Sequence, residues 1–139
     1  MVAIRPAQAT DLKAISALDL RLTGSDKPAY WREMLAPERH FLVAETGKGA
    51  LAGFIAGEVR AWEFGQPAAG WVFAIQVDPR TRLRGVGSAL FDALAARFKE
   101  QGVTRVRTLV DRKDHLILSF FRAQGMTAGP SLQLDKELP

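Results

Sequence analysis

The chain has 139 residues, 47% of them hydrophobic and 24% charged, with a formal net charge of +4, the size and balance of one soluble globular domain spanning 1–139. No run approaches the roughly 20 apolar residues of a membrane span, and Met-Val-Ala-Ile-Arg-Pro turns polar too early for a secretory signal, so a cytoplasmic protein away from membranes is expected. The absence of cysteine excludes disulfides, thiolate metal sites and a cysteine nucleophile.

Val2–Arg5 reads as a short strand that Pro6 ends. Thr10-Asp11 is an N-terminal cap, and Leu12, Ile15, Leu18 and Leu22 follow at helical spacing until Gly24. Pro28 starts a second short helix carrying Tyr30, Trp31, Met34 and Leu35. Phe41–Glu45 and Leu51–Trp62 flank the turn Thr46-Gly47-Lys48-Gly49 as a hairpin. A Gly/Pro loop over 65–70 leads into a strand at 71–77. Beyond Pro79, a helix over about 86–100 is capped by Gln101-Gly102. Thr104–Val110 reads as a strand, Asp114 as the cap of a helix stopped by Gly125, and Ser131–Lys136 as a closing strand. The order β-α-α-β-β-β-α-β-α-β predicts an α+β fold, an α/β/α sandwich. Its sheet is mixed and mostly antiparallel, with helices on both faces; only 71–77 and 104–110, joined through a helix, need be parallel.

The segment from Val77 to Leu90 carries the most chemical information. A strand stops at Pro79, passes an Arg/Gly turn and enters a helix whose first N–H groups lack intrahelical acceptors and carry partial positive charge. Gly85 and Gly87 let an anion approach that backbone, and Arg82 and Arg84 add charge. Residues 80–113 hold nine lysines and arginines against three acids, which leaves the rest of the chain slightly acidic. By charge alone a solvated basic face fits equally, and the glycines also suit a tight turn. Nucleic-acid binding is not expected: there is no aromatic-rich basic strand and no module signature.

These residues resemble the GNAT superfamily of acyl-CoA-dependent N-acyltransferases. Its Arg/Gln-x-x-Gly-x-Gly/Ala signature stands as Arg82-Leu83-Arg84-Gly85-Val86-Gly87 after Val77-Asp78-Pro79. Phe41–Glu45 with Leu51–Ile55 is similar to the family's second and third strands. Phe120-Phe121-Arg122-Ala123-Gln124-Gly125-Met126 is similar to its late aromatic motif, and Leu132–Lys136 to its closing strand.

The resemblance implies that backbone N–H groups of Leu83, Arg84, Gly85, Val86, Gly87 and Ser88 hold the pyrophosphate of acetyl-CoA, with Arg82 and Arg84 nearby. It implies a pantetheine arm pairing with Ile75 and Val77 like an extra strand, which requires 71–77 and 104–110 to splay apart. The acetyl carbonyl would meet an N–H of the same strand. The resemblance implies that acetyl passes directly from CoA to a primary amine of a small molecule or protein; no metal is implied, and dimers are common in the superfamily.

Two departures stand out. Phe121 occupies a position where the family often has a tyrosine that protonates the leaving thiolate, and Phe120 and Phe121 read as ligand wall, core, or one of each. The strand 71–76 holds no acid, so Glu58 and Glu63 are the nearest candidate general bases, each also readable as a solvent-facing acid. Asp114, where the family commonly has Asn on pantetheine, can accept an amide N–H or only cap its helix. His40 and His115 lack metal-ligand partners at suitable spacing. These departures leave a rival open: an acyl-CoA-binding sensor or structural subunit of the same fold without catalysis.

Overall fold

The computed structural model describes residues 2–81 and 84–139. The chain forms two compact units, Met1–Leu109 and Val110–Pro139.

The first unit runs β1 (Val2–Pro6), α1 (Leu12–Thr23), α2 (Pro28–Glu33), β2 (Arg39–Thr46), β3 (Leu51–Arg60), β4 (Ala69–Val77), α3 (Val86–Glu100) and β5 (Val106–Thr108). The sheet keeps chain order, β1-β2-β3-β4-β5. The first three pairings are antiparallel and β4–β5 is parallel. Antiparallel neighbours can be joined by turns, whereas a parallel pair needs a crossover, and α3 supplies it. This is the mixed sheet that the element order predicts.

Alternation along the pleat sorts the side chains onto two faces. Phe41, Val43, Phe54 and Ala56 form one face and pack with Ile15 and Leu18 of α1, Trp31 of α2, and Met34. On the other face, Leu90, Leu94 and Phe98 of α3 lie over Gly53 and Gly57 of β3 and Gly70 of β4. A Cβ on Gly70 would collide with the Phe98 ring, so only glycine admits α3 this close. Full burial of Leu90, Leu94 and Phe98 contributes about 1.5–3 kcal/mol each before entropy is counted. Helices therefore cover both faces.

Two predicted strands differ from the structure. The strand expected over 104–110 is only Val106–Thr108, because β4 bulges after Val72 and leaves β5 nothing to pair with. The strand expected over 131–136 does not form; Leu132 and Leu134 are exposed and no described strand runs beside them. Apolar alternation describes a strand only when a neighbour supplies its ladder. The second unit holds one helix, α4 (His115–Ala123), where Asp114 Oδ1 accepts the Ile117 N–H at 3.1 Å as the expected cap.

Candidate active site: a forked strand edge and its cavity

β4 pairs with β5 through Gly70–Val106, Trp71–Arg107 and Val72–Thr108, and there the ladder ends. On its other edge β4 stays paired with β3 to Val77, but the register jumps from Gly57–Val72 to Ala56–Ala74, so Phe73 has no partner. A bulge bends its strand and sharpens the local twist. The parallel ladder therefore ends beside the bulge, and we term this end of the ladder the fork. Asp78 N–H donates to Ala52 O at 2.8 Å. Alternation then turns the Gln76 and Ala74 amides toward β3, and those of Ile75 and Val77 toward the open edge.

The strand leads to the start of α3. Gly85 is the N-terminal cap in the left-handed region, at φ 75°, a conformation that glycine adopts without steric cost. Gly85 has no side chain with which to cap the helix, and among the described residues a Cβ at Gly85 would meet nothing within 4 Å. Arg84 is exposed, Val86 is buried, and Gly87 and Ser88 are half-buried. Arg82 and Leu83 lie outside the described residues. Asp78 fixes the turn between strand and helix: its Oδ1 accepts the Arg80 N–H at 2.9 Å, and its Oδ2 accepts from Arg21 Nη2 of α1 at 2.9 Å. Burial would raise the Asp78 pKa, but the Arg80 hydrogen bonds and the Arg21 charge outweigh it and hold the carboxyl below its usual value.

On the α1/α2 face, the stretch Phe73–Gln76 forms one wall of a cavity of about 280 Å³. Tyr30 and Trp31 of α2, Lys27, and Asp19 and Thr23 of α1 complete it. Asp19 is fully buried. Its Oδ1 accepts from Gln76 Nε2 at 2.8 Å and Thr23 Oγ1 at 3.2 Å; its Oδ2 accepts from Lys27 Nζ at 2.5 Å and Trp31 Nε1 at 3.0 Å. Burial alone would raise the pKa, yet the donors from Lys27, Gln76 and Trp31 hold it below the ordinary carboxylate value. Lys27 also lies 5.3 Å from the centroid of the Trp31 ring.

Glu58 lies on β3, on the α1/α2 face, with its Oε2 3.7 Å from Arg39 Nε and 3.5 Å from Arg60 Nη1. Glu63 follows the strand and pairs with the other terminal nitrogen of Arg60, so one arginine joins the two acids. The connection that holds Glu63 is strained: Trp62 and Phe64 both have positive φ, at 65° and 57°, and both rings are exposed. In the second unit Asp114 caps α4, and the Phe120 and Phe121 rings meet edge to face at 5.3 Å. Among the described residues no group of three or more His, Asp or Glu side chains is placed to hold a metal, and no helix is long and apolar enough to cross a membrane.

The sequence reading did not single out Asp19, Lys27 or Gln76. The available signal was Asp19 itself, a carboxylate four residues after Ile15 on the buried stripe of α1. An acid on that face must have donors around it.

The chain matches the acetyltransferase (GNAT) family model over residues 9–126. No curated protein sequence matches it. Among solved structures, the aminoglycoside antibiotic 6'-N-acetyltransferase AAC(6')-Ih from Acinetobacter baumannii is similar with a TM-score of 0.85 at 16% identity, covering 100% of both chains. AAC(6')-Iy in complex with the bisubstrate analogue CoA-S-monomethyl-acetylneamine gives 0.83 at 19% identity, over 100% of this chain and 99% of that one. A transcriptional regulator from Bacillus halodurans gives 0.82 at 18% identity, over 99% and 100%. At such identities the likeness is one of fold.

Proposed function

The chain belongs to the acetyltransferase (GNAT) family, and on that premise we propose that it moves an acetyl group from acetyl-CoA directly to the primary amine of a small molecule. The observation that carries this reading is the fork: the β4–β5 ladder ends at Val72, alternation turns the Ile75 and Val77 amides away from β3, and the strand leads to the start of α3 at Gly85. A pantetheine arm carries two amides spaced along an extended chain, and an unpaired strand edge is their natural complement. The backbone N–H groups of Gly85, Val86, Gly87 and Ser88 at the start of α3, beside the exposed Arg84, would receive the pyrophosphate; Arg82 and Leu83 belong to the same stretch of sequence.

The thioester then lies along β4 opposite the bulge, where one backbone N–H meets the acetyl oxygen and steadies the charge that develops on it. The amine nitrogen bonds to the acetyl carbon, the carbon–sulfur bond breaks, and CoA departs as a thiolate. With a thiol pKa near 8.5, that thiolate leaves without a dedicated acid, which suits phenylalanine at position 121. The amine must first lose a proton. Glu58 is the better placed acceptor of the two acids: it shares a sheet face with the cavity wall and its side chain is only 14% exposed, against 43% for Glu63.

The test is thiol release from acetyl-CoA against a panel of primary amines, alongside calorimetric titration with CoA. Amine-stimulated release with acetylated product supports the reading. Tight CoA binding without turnover would favour a sensing or structural role instead. Failure to bind CoA overturns both.

A further inference from the structure

Among the described residues, the charged side chains that line the cavity beside the fork are Asp19 and Lys27. Asp19 is fully buried and both its oxygens are occupied by four donors, so it offers an incoming molecule nothing. Lys27 is different. Its side chain is 39% exposed and lines the cavity, and a single Asp19 oxygen takes one of the three ammonium donors. The buried carboxylate and the outer ammonium together form a dipole whose positive end faces the space. The rings of Tyr30, Trp31 and Phe73 line the rest with Ala74 and Ile75, together with the polar Thr23 and Gln76, whose buried Oε1 has no hydrogen-bond partner among the described residues. A volume of about 280 Å³ lies just below the roughly 300–1,000 Å³ of small-molecule sites.

We propose that Lys27, held in place by Asp19, receives an anionic group of the acceptor, so that the substrate is a small primary amine bearing a carboxylate and an apolar side chain. An anion bound at Lys27 keeps the rest of the molecule against the aromatic wall, with the amine directed along the Phe73–Gln76 segment toward the fork. A polycationic acceptor would meet a like charge at Lys27. Asp19 is a positioning residue here, since it acts through Lys27. The inference rests on the acetyl-transfer reading for its reaction and on the cavity alone for its binding.

The experiment uses the full chain loaded with CoA or acetyl-CoA and two matched pairs, phenylalanine with phenylalaninol and leucine with leucinol, plus a polycationic aminoglycoside. The carboxylate member of each pair is expected to be favoured by about tenfold or more in kcat/KM, and in affinity by calorimetry. In Lys27→Met that ratio collapses to within about threefold of unity, and Lys27→Arg keeps most of it. If Lys27→Met fails to fold, the neutral double variant Asp19→Asn/Lys27→Met gives the same readout without a lone buried charge. A preference for the alcohols or the aminoglycoside, a ratio unmoved by Lys27→Met, or no binding of either carboxylate overturns the inference. Carboxylate binding that depends on Lys27 without acetylation would support it and refute the transfer reading; acetylation without carboxylate preference would do the reverse.

Discussion

Thr108 Oγ1 donates to the Val72 carbonyl at 2.9 Å, and these are the last two residues that β4 and β5 share. Below that bond the two strands form a parallel ladder; above it Phe73 bulges and no described strand continues the ladder along that edge of β4. One proline at each of two adjacent positions separates the open edge from the paired one. Ile75→Pro removes an N–H facing the gap, while Gln76→Pro removes one that bonds β3. The first is expected to keep a cooperative thermal transition and lose about tenfold or more in CoA affinity, and the second to lose roughly 3 kcal/mol of stability. Equal CoA binding in Ile75→Pro and the native chain, by calorimetry, would remove the strand-like placement of the pantetheine arm.

Gly85 has φ 75° and open space where a Cβ would sit, so substitution there meets backbone strain but no collision. Gly85→Ala should lower unfolding free energy by about 1–2 kcal/mol, the cost of the left-handed region for a residue with Cβ. Gly85→Glu carries the same strain and puts a negative charge where the diphosphate is to lie. CoA binding should fall by about 100-fold or more in Gly85→Glu and far less in Gly85→Ala, measured by calorimetry on variants with native circular dichroism. Similar affinities in the two would argue that no phosphate lies there.

Glu58 and Glu63 meet on opposite nitrogens of Arg60, and they differ in what surrounds them. Glu58→Gln keeps the shape and the polar contacts of a half-buried side chain but removes a proton acceptor. It is expected to lower kcat by about 100-fold near neutral pH, with much of the loss recovered at high pH as more of the amine is free base. Glu63→Gln, at an exposed position, should change kcat less than about threefold. A pH–rate profile unchanged by Glu58→Gln would assign the proton to water.

What could be read from the sequence follows how local each signal is. The caps at Asp114 and Gly24, the hairpin turn at Thr46 and the start of α3 at Gly85 depend on a few neighbouring residues, and each stands where local chemistry puts it. The Phe73 bulge depends on register against β3, which residue order along β4 alone does not carry. It shortened β5 and opened the fork. The strand expected at 131–136 had alternation but no neighbour. The cavity was hidden for a related reason: Asp19, Lys27 and Gln76 come from three parts of the chain, and only folding brings their polar atoms onto one carboxylate. Glu58 and Glu63 were visible because acids are rare around β4, whereas Asp19 looked like one charge in a helix.

Asp19 also links the cavity to stability. Its folded pKa is depressed, so its contribution is complete above the unfolded aspartate value of about 3.9 and disappears as pH falls through the lower folded value. Asp78 and Asp11 are shifted in the same direction; burial opposes the Asp78 shift, and the Arg5 hydrogen bond leads that of Asp11. Unfolding free energy should therefore be flat between about pH 5 and 7 and fall steeply below about pH 4. Asp19→Ala strands the Lys27 ammonium and the Trp31 and Gln76 donors. Because Lys27 is partly solvated, the expected loss near pH 7 is about 2–3 kcal/mol, short of the value for a fully buried pair. The same variant should show a shallower acid limb, since the proton uptake tied to Asp19 has gone. Urea titrations of both proteins from pH 3 to 7 measure the two effects together, and parallel acid limbs would mean that the Asp19 carboxylate is not the group that the fold keeps ionised.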